Sequence, residues 1–337
     1  MKLSMRLIHL TIVALALVAA GCSGSSSDTS ASSESSEATQ AAAVEEVEGD
    51  FAGLVDIGGG RQMYMECSGT GSPTVVLESG LRDAADVWSM SSAGEGAPTV
   101  FPEVADFTRV CAYDRPGTVV GGESPSRSDS VSQPTTAQDA VADLHALLSA
   151  AEEPGPYVLV GHSYGGPIIR LYASAHPPDV AGLVLVDALS EDLPNGLTPT
   201  QQALFEEINT PPPDTDAEVL DLQGTFQQLR ESPPVPQVPK IVLTADQPQL
   251  TAEVLAEGEG QLPAGVDQEF ADALWASQLA AQDELAKMFP GAEHITNMNS
   301  THYIHNEQPQ LVIDAIRQVV DASKDNAEIA SVVEGVE

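Results

Sequence analysis

Residues 157–166 read Tyr-Val-Leu-Val-Gly-His-Ser-Tyr-Gly-Gly, an apolar run entering Gly-x-Ser-x-Gly, and Pro167 then leads into the helical sequence Ile168-Ile169-Arg170-Leu171-Tyr172-Ala173. A serine hydroxyl is a weak nucleophile until its surroundings activate it. Here the spacing predicts a sharp strand-to-helix turn with Ser163 at its apex, and Gly161 and Gly165 leave room for neighbouring segments to close around it. The N–H of Tyr164 falls at the helix N-terminus, where unpaired donors and the helix dipole favour a developing negative oxygen. These residues suit attack on a carbonyl followed by transfer of the acyl group.

Such a serine needs a base and a carboxylate. Of seven histidines, His302 follows the last predicted strand and precedes an amphipathic C-terminal segment, which makes it the first choice for the base; His305 is the second. His162 adjoins the serine but should point away from it. His145, His176 and His294 read as surface or packing residues, and His9 lies in the N-terminal segment. Two aspartates compete for the acid: Asp187, 24 residues after Ser163 at the end of a predicted strand, and Asp246, after the next strand. Register favours Asp187 and leaves Asp246 open. No histidine spacing suggests a metal site, and the chemistry requires no cofactor.

The elements that must hold these residues alternate between apolar strands and helices, the pattern of a mostly parallel sheet covered on both faces. Eight strands are expected: 53–57, 61–66, 74–77, 109–113, 157–160, 182–186, 240–243 and 294–298. Helical spacing runs through 135–150 and 309–320. A Pro-rich insertion at about 190–239 follows the sixth strand, where a loop would overhang a ligand crevice, so it is a lid candidate. A second, mostly helical insertion spans 247–290, and an acidic tail at 321–337 is expected to fray.

At 337 residues and 42% hydrophobic content the chain can bury a large core. Its start is a different matter. Lys2 and Arg6 precede a short apolar stretch, Leu10 to Ala20, too short to span a bilayer, so residues 1–21 read as an export signal. Residues 22–50 are rich in Ser, Ala and Glu, too polar to pack, and suit a tether. The formal charge is −37, with only four lysines, and becomes −39 once the signal is removed. Such a surface repels phosphate backbones, which excludes nucleic-acid partners.

Several stretches together resemble the α/β-hydrolase superfamily, and the resemblance covers nearly all of residues 51–320. Val75-Val76-Leu77-Glu78-Ser79-Gly80-Leu81 is similar to the strand and turn that carry the second oxyanion donor, here the Leu81 N–H beside that of Tyr164. Cys111-Ala112-Tyr113-Asp114-Arg115-Pro116-Gly117 resembles the following strand and turn, Gly161 to Gly166 the nucleophile elbow, Leu183 to Ala188 the sixth strand and Ser300 to Ile304 the histidine loop. The order Ser, acid, His is also that of the family. Two departures stand out: Ser79-Gly80 replaces the usual His-Gly, and Thr118-Val119-Val120-Gly121-Gly122 replaces the usual short Gly-x-Ser run. A serine at the elbow argues against the branches that use a carboxylate nucleophile.

The resemblance implies an eight-stranded α/β-hydrolase domain and a serine hydrolase acting on a small-molecule, ester-like substrate. The same constellation serves amides, lactones and C–C bonds beside a carbonyl, and a surface-tethered binding protein without turnover is the rival from another class. Ala19-Ala20-Gly21-Cys22 in turn resembles the lipobox of bacterial lipoproteins, which implies a lipidated Cys22 and a domain tethered to a membrane outside the cytoplasm; plain secretion is the alternative. Cys67 and Cys111 are an even pair in an oxidising compartment, and the family's strand order makes their strands neighbours, so a disulfide is expected. Oligomeric state is left open.

Overall fold

A computed structural model describes residues 49–211, 216–258, 260 and 262–334. The signal, Cys22 and most of the expected tether therefore lie outside the described residues, as does the centre of the first Pro-rich stretch. Eight strands build one sheet: β1 (Phe51–Gly58), β2 (Arg61–Ser68), β3 (Thr74–Glu78), β4 (Val110–Tyr113), β5 (Tyr157–His162), β6 (Val180–Val186), β7 (Lys240–Leu243) and β8 (Glu293–Ile295). Their order across the sheet is β1-β2-β4-β3-β5-β6-β7-β8. Only β2 runs against its neighbours, pairing antiparallel with β1 and β4, while every pair from β4 to β8 is parallel.

Strands β3 to β7 are buried on both sides, which is why they read as unbroken apolar runs rather than alternating ones. The two-residue period divides them between two cores. Val76, Leu159 and Leu183 face helices α2 (Ala137–Ala150) and α3 (Gly165–Ala175), while Val75, Val158, Val160 and Val184 face α1 (Val100–Ala105) and α9 (Pro309–Glu334). Helix α2 starts on a capping box in which Thr136 and Asp139 satisfy each other's backbone N–H groups.

The two insertions supply the remaining helices: α4 (Pro199–Asn209) and α5 (Leu222–Glu231) in the first, α6 (Ala252–Glu257) and α7 (Gln268–Lys287) in the second. A four-residue turn of helix, α8 (Ile304–Glu307), precedes α9. No helix among the described residues is long and apolar enough to cross a membrane.

Two boundaries differ from expectation by more than two residues. Strand β8 ends at Ile295 rather than Met298, because Asn297 and Asn299 adopt left-handed backbone (φ 63° and 54°) and turn the chain out of the sheet. Helix α9 continues past Val320 to Glu334, where a frayed tail was expected; residues 321–334 contain neither Gly nor Pro, so nothing in the backbone stops the helix.

Cys67 and Cys111 stand directly opposite each other in the β2–β4 pairing, with Cα atoms 4.1 Å apart, and form a disulfide. It closes a 44-residue separation that includes β3 and α1. The Cys67→Ala/Cys111→Ala double variant should lose about 2–4 kcal/mol of stability, seen as a lower thermal midpoint that reducing agent no longer changes.

Candidate active site

Ser163 follows β5 in left-handed backbone (φ 51°), a conformation few non-glycine residues adopt unless the surroundings impose it. Three contacts impose it here. Its N–H donates to Val186 O (3.1 Å), and its carbonyl accepts from Gly166 N (3.0 Å) and Leu189 N (2.8 Å). The turn tolerates no side chain beside it: a Cβ on Gly161 would stand 2.6 Å from Gly165 O, and one on Gly165 would collide with Glu78 O. Ser163 itself is half-buried and reaches a cavity of about 430 Å³.

Leu81, Tyr164, Asp187 and His302 line that same cavity. Asp187 comes off β6, also in left-handed backbone (φ 40°), and its carboxylate accepts from His302 Nδ1 at 2.6 Å and from Ala245 N at 3.1 Å. Gln278 of α7 approaches the same carboxylate at 3.5 Å. With Nδ1 engaged, Nε2 is the nitrogen of His302 left to exchange a proton. Among the described residues Ser163 Oγ makes no hydrogen bond to His302; contacts of this kind are often long until substrate draws them in.

Asp246 is placed elsewhere. Its carboxylate accepts from Asn299 N (3.0 Å) and Ser300 N (2.9 Å), so it holds the loop that carries His302 and does not touch the imidazole. His305 is fully buried against Trp88 and His162, with ring centroids 4.7 and 4.3 Å away, and burial pushes its pKa down to about 3. It does not line the cavity. His162 points under the turn as expected, but it has a partner there: its Nε2 donates to the His302 carbonyl at 3.1 Å, which braces the histidine loop from below. His294 bonds Thr244 (2.8 Å).

The loop bearing the Leu81 N–H is held by charge. Arg115, buried, donates to the carbonyls of Ser79 (2.9 Å) and Gly80 (2.6 Å), and pairs with Glu78 (2.5 Å) and Glu218 (2.7 Å). Burial works against the guanidinium's charge, yet Glu218 and Glu78 hold its pKa well above the ordinary range. Glu218 also accepts the Arg82 N–H at 2.7 Å, one residue beyond Leu81. Sequence reasoning missed Glu218 altogether. Arg115 stands in a stretch whose resemblance was noted, but nothing in the sequence pairs it with a residue of the insertion.

Among the described residues two groups bring three potential metal-ligating side chains together. In one, Cys67 and Cys111 are consumed by their disulfide. The other, His145, His176 and Asp179, was not anticipated from spacing; it lies at the far end of α3 from Ser163, and its two imidazoles stack in parallel 4.0 Å apart.

The chain matches the alpha/beta hydrolase family over residues 75–315 and belongs to it. It is 27% identical to the uncharacterized protein YqjL of Bacillus subtilis (strain 168) over 251 residues, 74% of this chain and 85% of YqjL. Among solved structures it is similar to Est816, described as an N-acyl homoserine lactone degrading enzyme (17% identity, TM-score 0.53, 80% of this chain and 100% of that one). It is similarly related to the haloalkane dehalogenase DatA of Agrobacterium tumefaciens C58 (17% identity, TM-score 0.53, 81% and 98%). At such identities these likenesses establish the fold.

One titration near the site is open to measurement. Asp83, half-buried, has its carboxylate 4.0 Å from His162 Nδ1, and burial pushes its pKa up to about 7. An unfolded aspartate ionises near 4, so between about pH 4 and 7 the folded state holds a proton that the unfolded state has lost, and stability falls as pH rises. Asp83→Asn removes that cost. Its thermal midpoint should exceed the wild type's by about 2–6 °C above pH 7, with the gap closing toward pH 4.

Proposed function

We propose that this protein is a serine hydrolase that transfers the acyl group of a carboxylic ester to water. The observation that carries this reading is the 2.6 Å contact between His302 Nδ1 and the Asp187 carboxylate at a cavity that Ser163 also lines. In this mechanism His302 takes the Ser163 proton, Ser163 Oγ attacks the ester carbonyl, and the Leu81 and Tyr164 N–H groups receive the oxyanion. The imidazolium then returns its proton to the departing alcohol. Water, deprotonated by His302, attacks the acyl-enzyme and releases the acid. Asp187 fixes the imidazole tautomer and stabilises its charged form, while Asp246 acts only on loop geometry. The cavity wall, with Leu189, Phe205, Leu220, Leu250 and Trp275, favours an apolar acyl group. Residues 190–239 supply much of that wall and are read here as the lid.

Ser163→Ala should abolish hydrolysis of a 4-nitrophenyl ester and labelling by a fluorophosphonate, with a thermal midpoint close to wild type. Retained labelling or turnover would remove Ser163 from the mechanism, and an unlabelled wild type would favour a binding protein. Asp187→Ala should cost up to about 10⁴-fold in kcat and Asp246→Ala far less; the reverse order would reassign the acid.

We further propose that Cys22 carries lipid and tethers the domain to a membrane outside the cytoplasm, a reading supported by the sequence of residues 1–22. A diacylglyceryl group supplies the two chains that stable anchoring needs. Cys22→Ala should move the protein from the membrane fraction to the medium, and unchanged fractionation would overturn lipidation.

A further inference from the structure

Resting on the hydrolase reading above, we infer that the cavity chooses its ester by charge, accepting an uncharged or cationic acyl group and turning away an anionic one, with Glu206 at its mouth as the main selector.

The interior of the cavity is apolar, but its polar lining is one-sided. Apart from Asp187, which is committed to His302, the charged side chains lining it among the described residues are Glu206 and Asp221. No Lys or Arg lines it, and residues 212–215, 259 and 261 contain none. The arginines of the Leu81 turn and of the stretch after β4, Arg82 and Arg115, are buried and turned to other partners. Arg115 is held between Glu78 and Glu218, and Arg82 donates to the carbonyls of Glu218 and Asn209. Both guanidiniums are buried and neither lines the cavity, so neither is placed to bond a substrate carboxylate there.

Glu206 and Asp221 are not equivalent. Asp221 caps α5 by accepting from Gly224 N (2.8 Å). Glu206 is exposed on α4, and one of its oxygens accepts from Gln223 of α5 (2.7 Å). That bond bridges the two helices of the insertion, and both of its residues line the cavity. A compact space of 430 Å³ is about 9 Å across, roughly the reach of a six-carbon acyl chain from Ser163. Over that span one carboxylate alters the preference for a charged chain end by roughly two- to twentyfold, according to how strongly solvent screens it. The overall charge of −37 acts in the same direction but does not depend on any one residue.

The test uses three 4-nitrophenyl esters of equal length: the hexanoate, the 6-aminohexanoate with an ammonium end, and the adipate monoester with a carboxylate end. For each protein the kcat/KM of the two charged esters is divided by that of the hexanoate, so the fraction of active enzyme cancels. At low salt the wild type should favour the ammonium ester over the carboxylate ester by about tenfold or more, and 0.5 M NaCl should narrow the ratio at least about threefold. Glu206→Lys should lower the ratio at least about fourfold, and Glu206→Gln, which keeps an acceptor for Gln223, should fall between. Glu103→Lys, an equal charge change on α1 across the sheet, should leave the ratio within about twofold. Equal rates for the two charged esters, an unchanged ratio in Glu206→Lys, or an equal shift in Glu103→Lys would each overturn the inference. Hexanoate cleavage without charge discrimination sinks this inference alone, whereas no cleavage of any of the three sinks the hydrolase reading with it.

Discussion

The guanidinium of Arg115 is the point at which three otherwise separate parts of the molecule meet. It follows β4, grips the backbone after β3 through the Ser79 and Gly80 carbonyls, and ends on Glu218 from the first insertion. A buried arginine needs its donors filled, and one left without a carboxylate would be costly. The insertion therefore cannot move away from the Leu81 turn without uncovering a charge. This makes the Leu81 turn and the wall of the cavity a single mechanical unit, even though they lie far apart in the sequence.

On the other side of Ser163 the constraints come from crowding rather than charge. Gly161 and Gly165 let the turn close, and β6 supplies both the partner for the Ser163 N–H and the carboxylate that meets His302. Beneath, His162 and His305 sit neutral in a dry layer, and the Nε2–H of His162 supports the loop above. Polar groups in such a layer contribute rigidity only where they are partnered, and the bond to His302 is the partnered one.

Much of this was legible beforehand because it is local. A strand, a Gly-x-Ser-x-Gly turn and a helix are contiguous, and apolar runs long enough to be buried on both faces announce a parallel sheet. His302 could be preferred over His305 from position alone, and the fold shows the physical difference between them: three residues on, the same side chain is sealed against Trp88. What stayed hidden is what tertiary contact creates. Glu218 lies 103 residues from Arg115, in a segment whose composition suggests only a loop. Asp246 was a reasonable rival for Asp187 in sequence, and only the path of the chain after β7 turns its carboxylate onto backbone N–H groups. Beyond Val320, acidic composition suggested fraying, whereas the absence of any helix-breaking residue was the better guide.

Five of the eight arginines among the described residues, Arg61, Arg109, Arg115, Arg127 and Arg170, are engaged by carboxylates, which leaves an exterior that is overwhelmingly anionic. Such a surface gathers a cloud of counterions, and hydronium is among them. The solution touching the cavity mouth is therefore more acidic than the bulk, by an amount set by the surface potential and erased by added salt. Any proton-coupled step at the mouth then reads a local pH, not the one in the buffer, and its apparent midpoint drifts upward as the medium is diluted.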